Sequence, residues 1–274
     1  MTLLSVAQMN SQNSIEDNFK TVEMLIQQSL AQGTQLIVFP ENFICFAGGK
    51  QRETAAQFEV IQQRLEQLAF QYQIWIVAGT LPCPFRPDGS IIDDGRVRTV
   101  SLCISPEKTE ARYDKIHLFD VQVDDAVGGY QESQFFESGN ELVVAKTPFG
   151  NLGLMVCYDL RFPELALSLR AKGADILTAP AAFTYTTGKM HWQLLLQARA
   201  IDSQSMVLGS AQQGWHGTKR QTWGHTAAAD ASGKILAQVE AEGTQLITVE
   251  FDLAEQNRIR QAMPLLQHRV LCRY

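Results

Sequence analysis

Three residues far apart in the chain have side chains suited to covalent attack on a carbonyl group. The first is Cys157, which ends an apolar run (152–156) and precedes a segment, 158–164, that is predicted to turn into a helix. Backbone N–H groups and the positive end of a helix favour a thiolate and can also hold an oxyanion. The ordinary alternative is that Cys157 is a small buried hydrophobic residue.

Glu41 and Lys115 place a carboxylate and an ammonium at the ends of predicted strands. Glu41 directly follows Pro40, at the mouth of a wholly apolar strand, where a carboxylate suits a general base that takes a proton from a thiol. Lys115 ends a short extended segment, and a fixed ammonium there could stabilise an oxyanion. Taken singly, a solvated loop glutamate and a surface lysine are the ordinary interpretations. Their joint occurrence with Cys157 favours a catalytic role.

The elements that must position these groups alternate between short apolar strands and longer segments of helical period. Strands are predicted at 3–9, 36–39, 74–79, 97–105, 142–147, 152–157, 175–179, 206–211, 226–229, 235–239 and 245–251. Helices are predicted at 15–30, 53–72, 163–172 and 190–204, with a short last helix after the final strand. Loops are expected at 82–95 and 116–140. This alternation predicts an α/β fold.

An internal similarity suggests how the reactive groups could meet. Segments 31–40 and 171–180 share Ala, Gly, two adjacent aliphatic residues and Pro in register. The ordinary interpretation is the generic pattern of a helix end, a Gly cap and a buried strand. If a pseudo-twofold axis relates the two units, Glu41 from one half can meet Cys157 from the other. The residue after the second Pro is Ala181, so one half alone supplies the carboxylate.

Length and composition limit the domain count and the partners. A chain of 274 residues, 45% of them hydrophobic, can bury one large core, and no linker divides it, so we expect a single domain over 1–274. The net charge is −6 and the basic residues are scattered, which argues against nucleic acid or an anionic membrane as partner. There is no basic N-terminal region and no run of about 18 apolar residues, so we expect a cytoplasmic protein.

The cysteines indicate neither a disulfide framework nor a metal site. They are five, an odd number, without a CxxC pair or a Cys/His cluster: Cys45, Cys83, Cys103, Cys157 and Cys272. The glycine-rich patterns GxGxxG and GxxxxGK are absent from the sequence, which disfavours nucleotide use. We expect no metal and no organic cofactor.

Three motifs carry a resemblance to a known family. They are Phe39-Pro40-Glu41-Asn42, then Tyr-Asp-Lys-Ile-His-Leu-Phe at 113–119, and Cys-Tyr-Asp-Leu-Arg-Phe-Pro-Glu at 157–164. In order and spacing, over essentially the whole chain, they resemble the nitrilase or carbon–nitrogen hydrolase superfamily, which uses a Glu–Lys–Cys triad. The resemblance implies a four-layer α-β-β-α sandwich, usually paired as a homodimer. It also implies a second glutamate after the lysine, which Tyr130-Gln131-Glu132-Ser133 places at Glu132.

Within the superfamily, the chain is most similar to the small-amidase branch that includes deaminated-glutathione amidases and ω-amidases. Segments 182–188, 191–192 and 199–201 resemble both groups. Segments 210–212, 216–220, 224–225 and 266–269 are more similar to the deaminated-glutathione amidases. One departure is Asp-Ala-Ser-Gly at 230–233, where Asp-Pro-Trp-Gly is more usual; this turn is far from the triad in sequence.

The resemblance implies hydrolysis of a small carboxylate-bearing amide through a thioester on Cys157, with release of ammonia. Glu41 would act alternately as base and acid. Lys115 and the backbone N–H of Tyr158 would hold the oxyanion, and Glu132 would orient Lys115 and Glu41.

The same resemblance implies a substrate carboxylate, which a net-acidic protein must bind with local cations. Arg161, beside the nucleophile turn, is the first candidate, and Lys219 and Arg220 are the second. A solvated cation at a helix start or in a loop is an equally ordinary interpretation of all three.

Two other hypotheses remain open. The first is a Cys–His enzyme with His117, His191 or His225 as base, although no nucleophile-elbow glycines flank Cys157. The second is a non-catalytic binding protein of the same fold, which would have no physical need for all four triad-associated side chains.

Overall fold

Short apolar strands and amphipathic helices alternate along the chain. The computed structural model describes residues 1–125, 127–218 and 220–270. The strands are β1 (Thr2–Gln8), β2 (Leu36–Val38), β3 (Trp75–Cys83), β4 (Arg98–Ile104), β5 (Thr109–Asp114), β6 (Asp120–Gln122), β7 (Gly129–Gln131), β8 (Val144–Ala145), β9 (Leu152–Leu154), β10 (Ile176–Thr178), β11 (Met206–Gly209), β12 (Gln213–His216), β13 (Arg220–Trp223), β14 (Ala227–Ala229), β15 (Ile235–Gln238) and β16 (Gln245–Phe251). The helices are α1 (Ile15–Ala31), α2 (Gln51–Ala55), α3 (Phe58–Tyr72), α4 (Pro163–Ala171), α5 (Tyr185–Ser203), α6 (Leu253–Ala262) and α7 (Leu265–His268), and two 3-10 turns span Glu132–Gln134 and Cys157–Arg161.

Two six-stranded sheets repeat one topology. The first has the order β16-β1-β2-β3-β4-β5 and the second the order β15-β14-β11-β10-β9-β8. In the first sheet β1, β2 and β3 are parallel, and β4 and β5 continue antiparallel. In the second sheet β9, β10 and β11 are parallel, and β14 and β15 continue antiparallel. The similar segments 31–40 and 171–180 therefore lead into equivalent strands, β2 and β10.

The alternation of side chains along each strand divides the core into layers. On β1, Leu4 and Val6 pack in the cluster that includes the second sheet, whereas Ala7 packs in the cluster with α1 and α3. On the far side, α4 and α5 cover the second sheet with side chains such as Leu165 and Leu196. The expected four-layer α-β-β-α sandwich is confirmed.

The element boundaries differ from the sequence predictions at several places. The strand predicted at 74–79 continues to Cys83, through Pro82. Proline is tolerated there because β2 pairs with β3 only as far as Val77. The helix predicted from 190 begins at Tyr185 instead, because the Thr184 side chain caps its first turn. The predicted helix 53–72 is divided into α2 and α3, and the loop predicted at 116–140 contains the β6–β7 hairpin.

None of the helices in the described part of the chain has the length and apolarity needed to cross a bilayer.

Candidate active site

Four predicted side chains meet at one place, although they follow different strands. Glu41 follows β2, Lys115 follows β5, and Cys157 opens the 3-10 turn after β9. The Lys115 Nζ lies 3.0 Å from Glu41 Oε1 and 2.9 Å from each carboxylate oxygen of Glu132. Lys115 is 2% exposed, so its ammonium bridges two carboxylates away from water.

The second half of the chain helps to hold Glu41 in place. Gln212, which follows β11, donates from Nε2 to the Glu41 carbonyl at 3.0 Å. Asn42 adopts a left-handed φ of 57°, which turns the chain away directly after the carboxylate. Gly79 allows the backbone at Pro40 to approach closely, because a Cβ at position 79 would lie 1.8 Å from the Pro40 carbonyl oxygen.

Cys157 lies on a strained turn that follows β9. Its φ is 49°, a left-handed conformation that is uncommon for a residue other than glycine, and its N–H donates to the Pro180 carbonyl at 2.8 Å. The Glu41 carboxylate and the Ala182 N–H both influence the sulfur, the carboxylate raising the pKa of Cys157 and the N–H lowering it. Such strain is typical of a side chain that the backbone presents to a reaction site.

Burial and a neighbouring carboxylate both act on the Cys157 thiol. Burial raises the pKa of Cys157 well above its usual value, and the negative charge of Glu41 raises it further, whereas Lys115 opposes the shift. These effects favour the thiol, which is the form from which a general base takes a proton. The local turn favours the anion, but burial and the neighbouring carboxylate outweigh it.

Lys115 keeps its charge in spite of its burial. Desolvation alone would lower the pKa of Lys115, but the carboxylates of Glu132 and Glu41 more than offset it and raise that pKa well above the usual value. Burial raises the pKa of Glu132, with Lys115 acting in the opposite direction. The Phe119 N–H donates to Glu132 Oε2 at 2.6 Å, which fixes the second carboxylate against the lysine.

A cavity of about 640 Å³ opens onto the sulfur, a size that suits a small organic ligand. Cys157, Glu41, Lys115 and Glu132 all line it. The Tyr158 N–H, which was predicted to bind an oxyanion, belongs to the same wall, and no acceptor among the described residues takes it.

Arg161 lines this cavity as a cation held by aromatic rings. Its guanidinium carbon lies 5.2 Å from the ring centroid of Phe183 and 5.9 Å from that of Tyr158, and Nη1 lies 3.3 Å from Nδ1 of His191. No carboxylate in the described ranges lies within ion-pair distance of it. Arg161 can therefore pair with an anionic group of a ligand.

Arg220 occupies a comparable place on the cavity wall. Its guanidinium carbon lies 4.7 Å from the Phe46 ring centroid and 5.4 Å from that of Tyr130. Its Nε is buried and lacks a hydrogen-bond partner among the described residues. Lys219, the other predicted cation of this loop, lies outside the described residues. Sequence reasoning missed Lys50, which also lines the cavity and whose signal, a single loop lysine, was too general to single out.

A comparison with family models covers nearly the whole chain. The model for carbon-nitrogen hydrolases matches residues 3–261. The chain belongs to the carbon–nitrogen hydrolase family. A deaminated glutathione amidase of Yersinia enterocolitica is 42% identical over 268 residues, which cover 97% of this chain and 92% of that protein. A protein of the same name from Synechocystis is 40% identical over 275 residues and 98% of both chains.

Solved structures of the nitrilase type share the fold. The C. elegans NitFhit protein matches 98% of this carbon–nitrogen hydrolase with a TM-score of 0.87 and 34% identity, and the present chain spans 65% of that longer protein. Nit3 of Saccharomyces cerevisiae, described as a member of branch 10 of the nitrilase superfamily, has a TM-score of 0.84 at 27% identity and covers 96% of this chain and 94% of its own.

The three histidines considered as alternative bases lie away from the reactive sulfur. None of them belongs to the lining of the described cavity. His117 stacks on Phe162 with ring centroids 3.6 Å apart, and His225 stacks on Trp223 at 4.0 Å. This placement favours Glu41 over these three histidines as the base in this carbon–nitrogen hydrolase.

No three or more His, Cys, Asp or Glu side chains in residues 1–125, 127–218 and 220–270 are arranged to hold a metal ion.

Proposed function

We propose that this carbon–nitrogen hydrolase is an amidase that cleaves a carboxylate-bearing amide through a thioester on Cys157, and that its substrate is deaminated glutathione. The observation that carries the proposal is the buried Lys115 between Glu41 and Glu132, beside the thiol at the base of the cavity. The relatives named deaminated glutathione amidase, at 40–42% identity, support the substrate.

In the proposed mechanism Glu41 transfers protons among the Cys157 thiol, the leaving nitrogen and the hydrolytic water. The Cys157 thiol gives its proton to Glu41 as the sulfur attacks the amide carbon, because a free thiolate would be costly at this buried position. Lys115 and the Tyr158 N–H hold the resulting oxyanion. Protonated Glu41 then passes its proton to the leaving nitrogen. It afterwards takes a proton from the water that hydrolyses the thioester and returns it to the Cys157 sulfur as the C–S bond breaks. Glu132 holds Lys115 in position.

The leaving group separates the two candidate substrates and corrects one expectation. Glutathione joins its glutamyl side chain to cysteinylglycine, so cleavage of that amide in the deaminated compound releases cysteinylglycine rather than ammonia. Ammonia leaves from a primary amide such as 2-oxoglutaramate, the substrate of the ω-amidase alternative. Both reactions produce 2-oxoglutarate, and the subsite for the leaving group therefore decides between them.

We propose that the cavity cations divide the substrate's carboxylates between them. Arg161 belongs to the same 3-10 turn as Cys157, so it is suited to the carboxylate of the acyl part. Arg220, from the β12–β13 hairpin, is suited to the carboxylate of the leaving group, and we propose that Lys219 assists it. A substrate with carboxylates at both ends would use both cations.

The test compares the formation of 2-oxoglutarate from deaminated glutathione and from 2-oxoglutaramate. Glutamate dehydrogenase, with added ammonium and NADH, reports this product for both. Wild type should prefer deaminated glutathione, Cys157→Ala should be inactive, and Arg220→Gln should raise KM for deaminated glutathione more than for 2-oxoglutaramate. Preference for 2-oxoglutaramate would assign the ω-amidase reaction instead. No product from either, with a Cys157 no more reactive than a free thiol, would favour the binding protein.

We further propose a homodimer that uses one face of α5. Met190, Leu194 and Ile201 fall within a narrow stripe of this helix and are 58%, 65% and 47% exposed. A second copy would cover this stripe. Leu194→Glu should convert the dimer to a monomer in size-exclusion chromatography with light scattering, whereas Val60→Glu, at an exposed site on α3, should not. An unchanged mass in both variants would contradict the interface.

We also propose that the chain forms one domain over 1–274 and acts in the cytoplasm without a nucleic-acid partner. Among residues 1–125, 127–218 and 220–270 the cysteines are free thiols, as is usual in a reducing compartment: Cys45, Cys83, Cys103 and Cys157. The net charge of −6 supports the absence of a nucleic-acid partner.

A further inference from the structure

A buried carboxylate connects the segment of the lysine to the turn of the cysteine. Asp159 is 0% exposed and accepts four hydrogen bonds. Its Oδ2 accepts from the Val156 N–H at 2.8 Å and from the Tyr113 hydroxyl at 2.7 Å. Its Oδ1 lies 3.1 Å from the backbone nitrogen of His117 and 2.7 Å from Nδ1 of the same residue.

The donors to Asp159 lie close in sequence to the two reactive residues. Tyr113 and His117 flank Lys115, and Val156 directly precedes Cys157. Lys115 follows β5 in the first sheet, and Cys157 follows β9 in the second. One carboxylate therefore fixes both backbones on which the two reactive side chains depend, including the left-handed turn at Cys157.

The hydrogen-bond donors around Asp159 suit a carboxylate. A buried carboxylate is costly unless hydrogen bonds replace its hydration, and in the described part of the chain no lysine or arginine forms an ion pair with Asp159. An ionised carboxylate offers about four acceptor sites on two oxygens, whereas an amide of the same shape offers about two and carries donors of its own. Four converging donors therefore match aspartate and mismatch asparagine.

Neither partner in this contact touches the space where a substrate would lie. Asp159 and His117 are both absent from the cavity lining, and the His117 ring is stacked on Phe162. The pair looks like the Asp–His part of a hydrolytic triad, but its imidazole does not line the cavity. Its role must therefore act through the residues that it holds.

We propose that Asp159 is a positioning residue that sets the distance between the Lys115 ammonium and the Cys157 thiol by bracing their two segments against each other. The inference rests on the proposed roles of Lys115 and Cys157 and assigns Asp159 a part in kcat rather than in substrate binding. Displacement of a reacting group by about 1 Å can lower the rate about 100-fold.

The first test uses Asp159→Asn, with Asp230→Asn as a matched control in the β14–β15 turn, where Asp230 also accepts bonds from neighbouring N–H groups. We expect kcat to fall about 100-fold in Asp159→Asn, with KM within about threefold of wild type, and no change in the control. A folded Asp159→Asn with kcat within threefold of wild type, or with a raised KM and unchanged kcat, would overturn the proposal.

A second pair of variants keeps the test decisive if Asp159→Asn does not fold. His117→Asn retains an N–H donor close to the position of Nδ1, and His117→Leu removes it while keeping bulk. We expect the asparagine variant to retain kcat within about threefold of wild type and the leucine variant to lose at least about tenfold. Equal kcat values in the two variants would contradict the bracing role.

A substrate-independent measurement separates this proposal from the proposed function. The rate at which iodoacetamide alkylates Cys157 can be followed by mass spectrometry whether or not deaminated glutathione is the substrate. We expect Asp159→Asn to slow alkylation of Cys157 at least about tenfold, while Cys45 reacts as in wild type. An unchanged alkylation rate at Cys157 in Asp159→Asn would overturn the bracing role. If wild type hydrolyses neither substrate but Asp159→Asn still slows alkylation, only the substrate assignment is overturned.

Discussion

Replacement of Glu41 by glutamine should make Cys157 a stronger acid and abolish turnover at the same time. Burial is the largest cause of the raised pKa of Cys157, the Glu41 carboxylate is the second, and Lys115 acts against both. Glutamine has nearly the shape of glutamate without the negative charge. In the variant the thiolate would therefore face the Lys115 ammonium without an opposing carboxylate at hydrogen-bond distance.

The size of this shift follows from Coulomb's law. Two unit charges about 4 Å apart interact by about 4 kcal/mol at an effective dielectric constant of about 20. Since about 1.36 kcal/mol corresponds to a tenfold change in an equilibrium constant, a charge effect of this order is large, and removal of the Glu41 charge should lower the pKa of Cys157. The sign is downward because the lost charge destabilised the thiolate and left the thiol unaffected.

The thiolate's ultraviolet absorbance, titrated with pH, measures this pKa directly. Subtraction of the same titration for Cys157→Ser removes the other thiols and the tyrosines. The variant's titration should lie well below that of wild type, while amide hydrolysis disappears because the proton acceptor is gone. A pKa equal to or above that of wild type would refute the electrostatic argument, and turnover retained by the variant would refute the role of Glu41 as base.

Two further predictions concern stability. Lys115→Met should lower the free energy of unfolding by about 3–5 kcal/mol in urea denaturation, because it leaves buried carboxylates without their cation. In the double variant that also carries Glu132→Gln, part of the lost free energy of unfolding should be recovered. Effects of the two substitutions that simply add would contradict the coupling between Lys115 and Glu132. Gly79→Ala should lower Tm because its Cβ would meet the Pro40 carbonyl oxygen, whereas Gly48→Ala, with open space around it, should leave Tm unchanged in the same thermal scan.

Sequence periodicity predicted the α/β elements that carry the reactive groups, whereas the four-layer arrangement was implied by the family resemblance. The parallel strands β2 and β9 contain no polar side chain, β1 and β10 are largely apolar, and the helices that follow β1 and β9 bury an apolar face; all of these are local signals. The repeat of Gly, strand and Pro gave a conditional prediction, that Glu41 and Cys157 come from equivalent halves if a pseudo-twofold axis relates the two units. The topology of the two sheets agrees with that prediction.

The elements that the sequence did not reveal are short, polar or determined by distant contacts. The β12–β13 hairpin contains His216 and Arg220 and has no apolar alternation, yet it supplies one of the cavity cations. Arg161 was a candidate from its place in the motif, but its contacts with Phe183 and His191 come from another part of the chain. Asp159 was visible in the same motif and was missed, because its donors on the lysine segment are adjacent only in the fold.

Protonation states also depend on distant contacts, and they determine where the negative charge lies during the reaction. The N–H groups of the turn favour a thiolate at Cys157, but the buried position beside Glu41 favours the thiol, from which Glu41 was expected to take the proton. In that state the negative charge resides on Glu41, next to Lys115. When the thiol proton moves to Glu41 during attack, the charge moves to the oxyanion, which Lys115 also contacts in the proposed mechanism. The buried ammonium then has a counterion throughout, so acylation requires no free charge in the core.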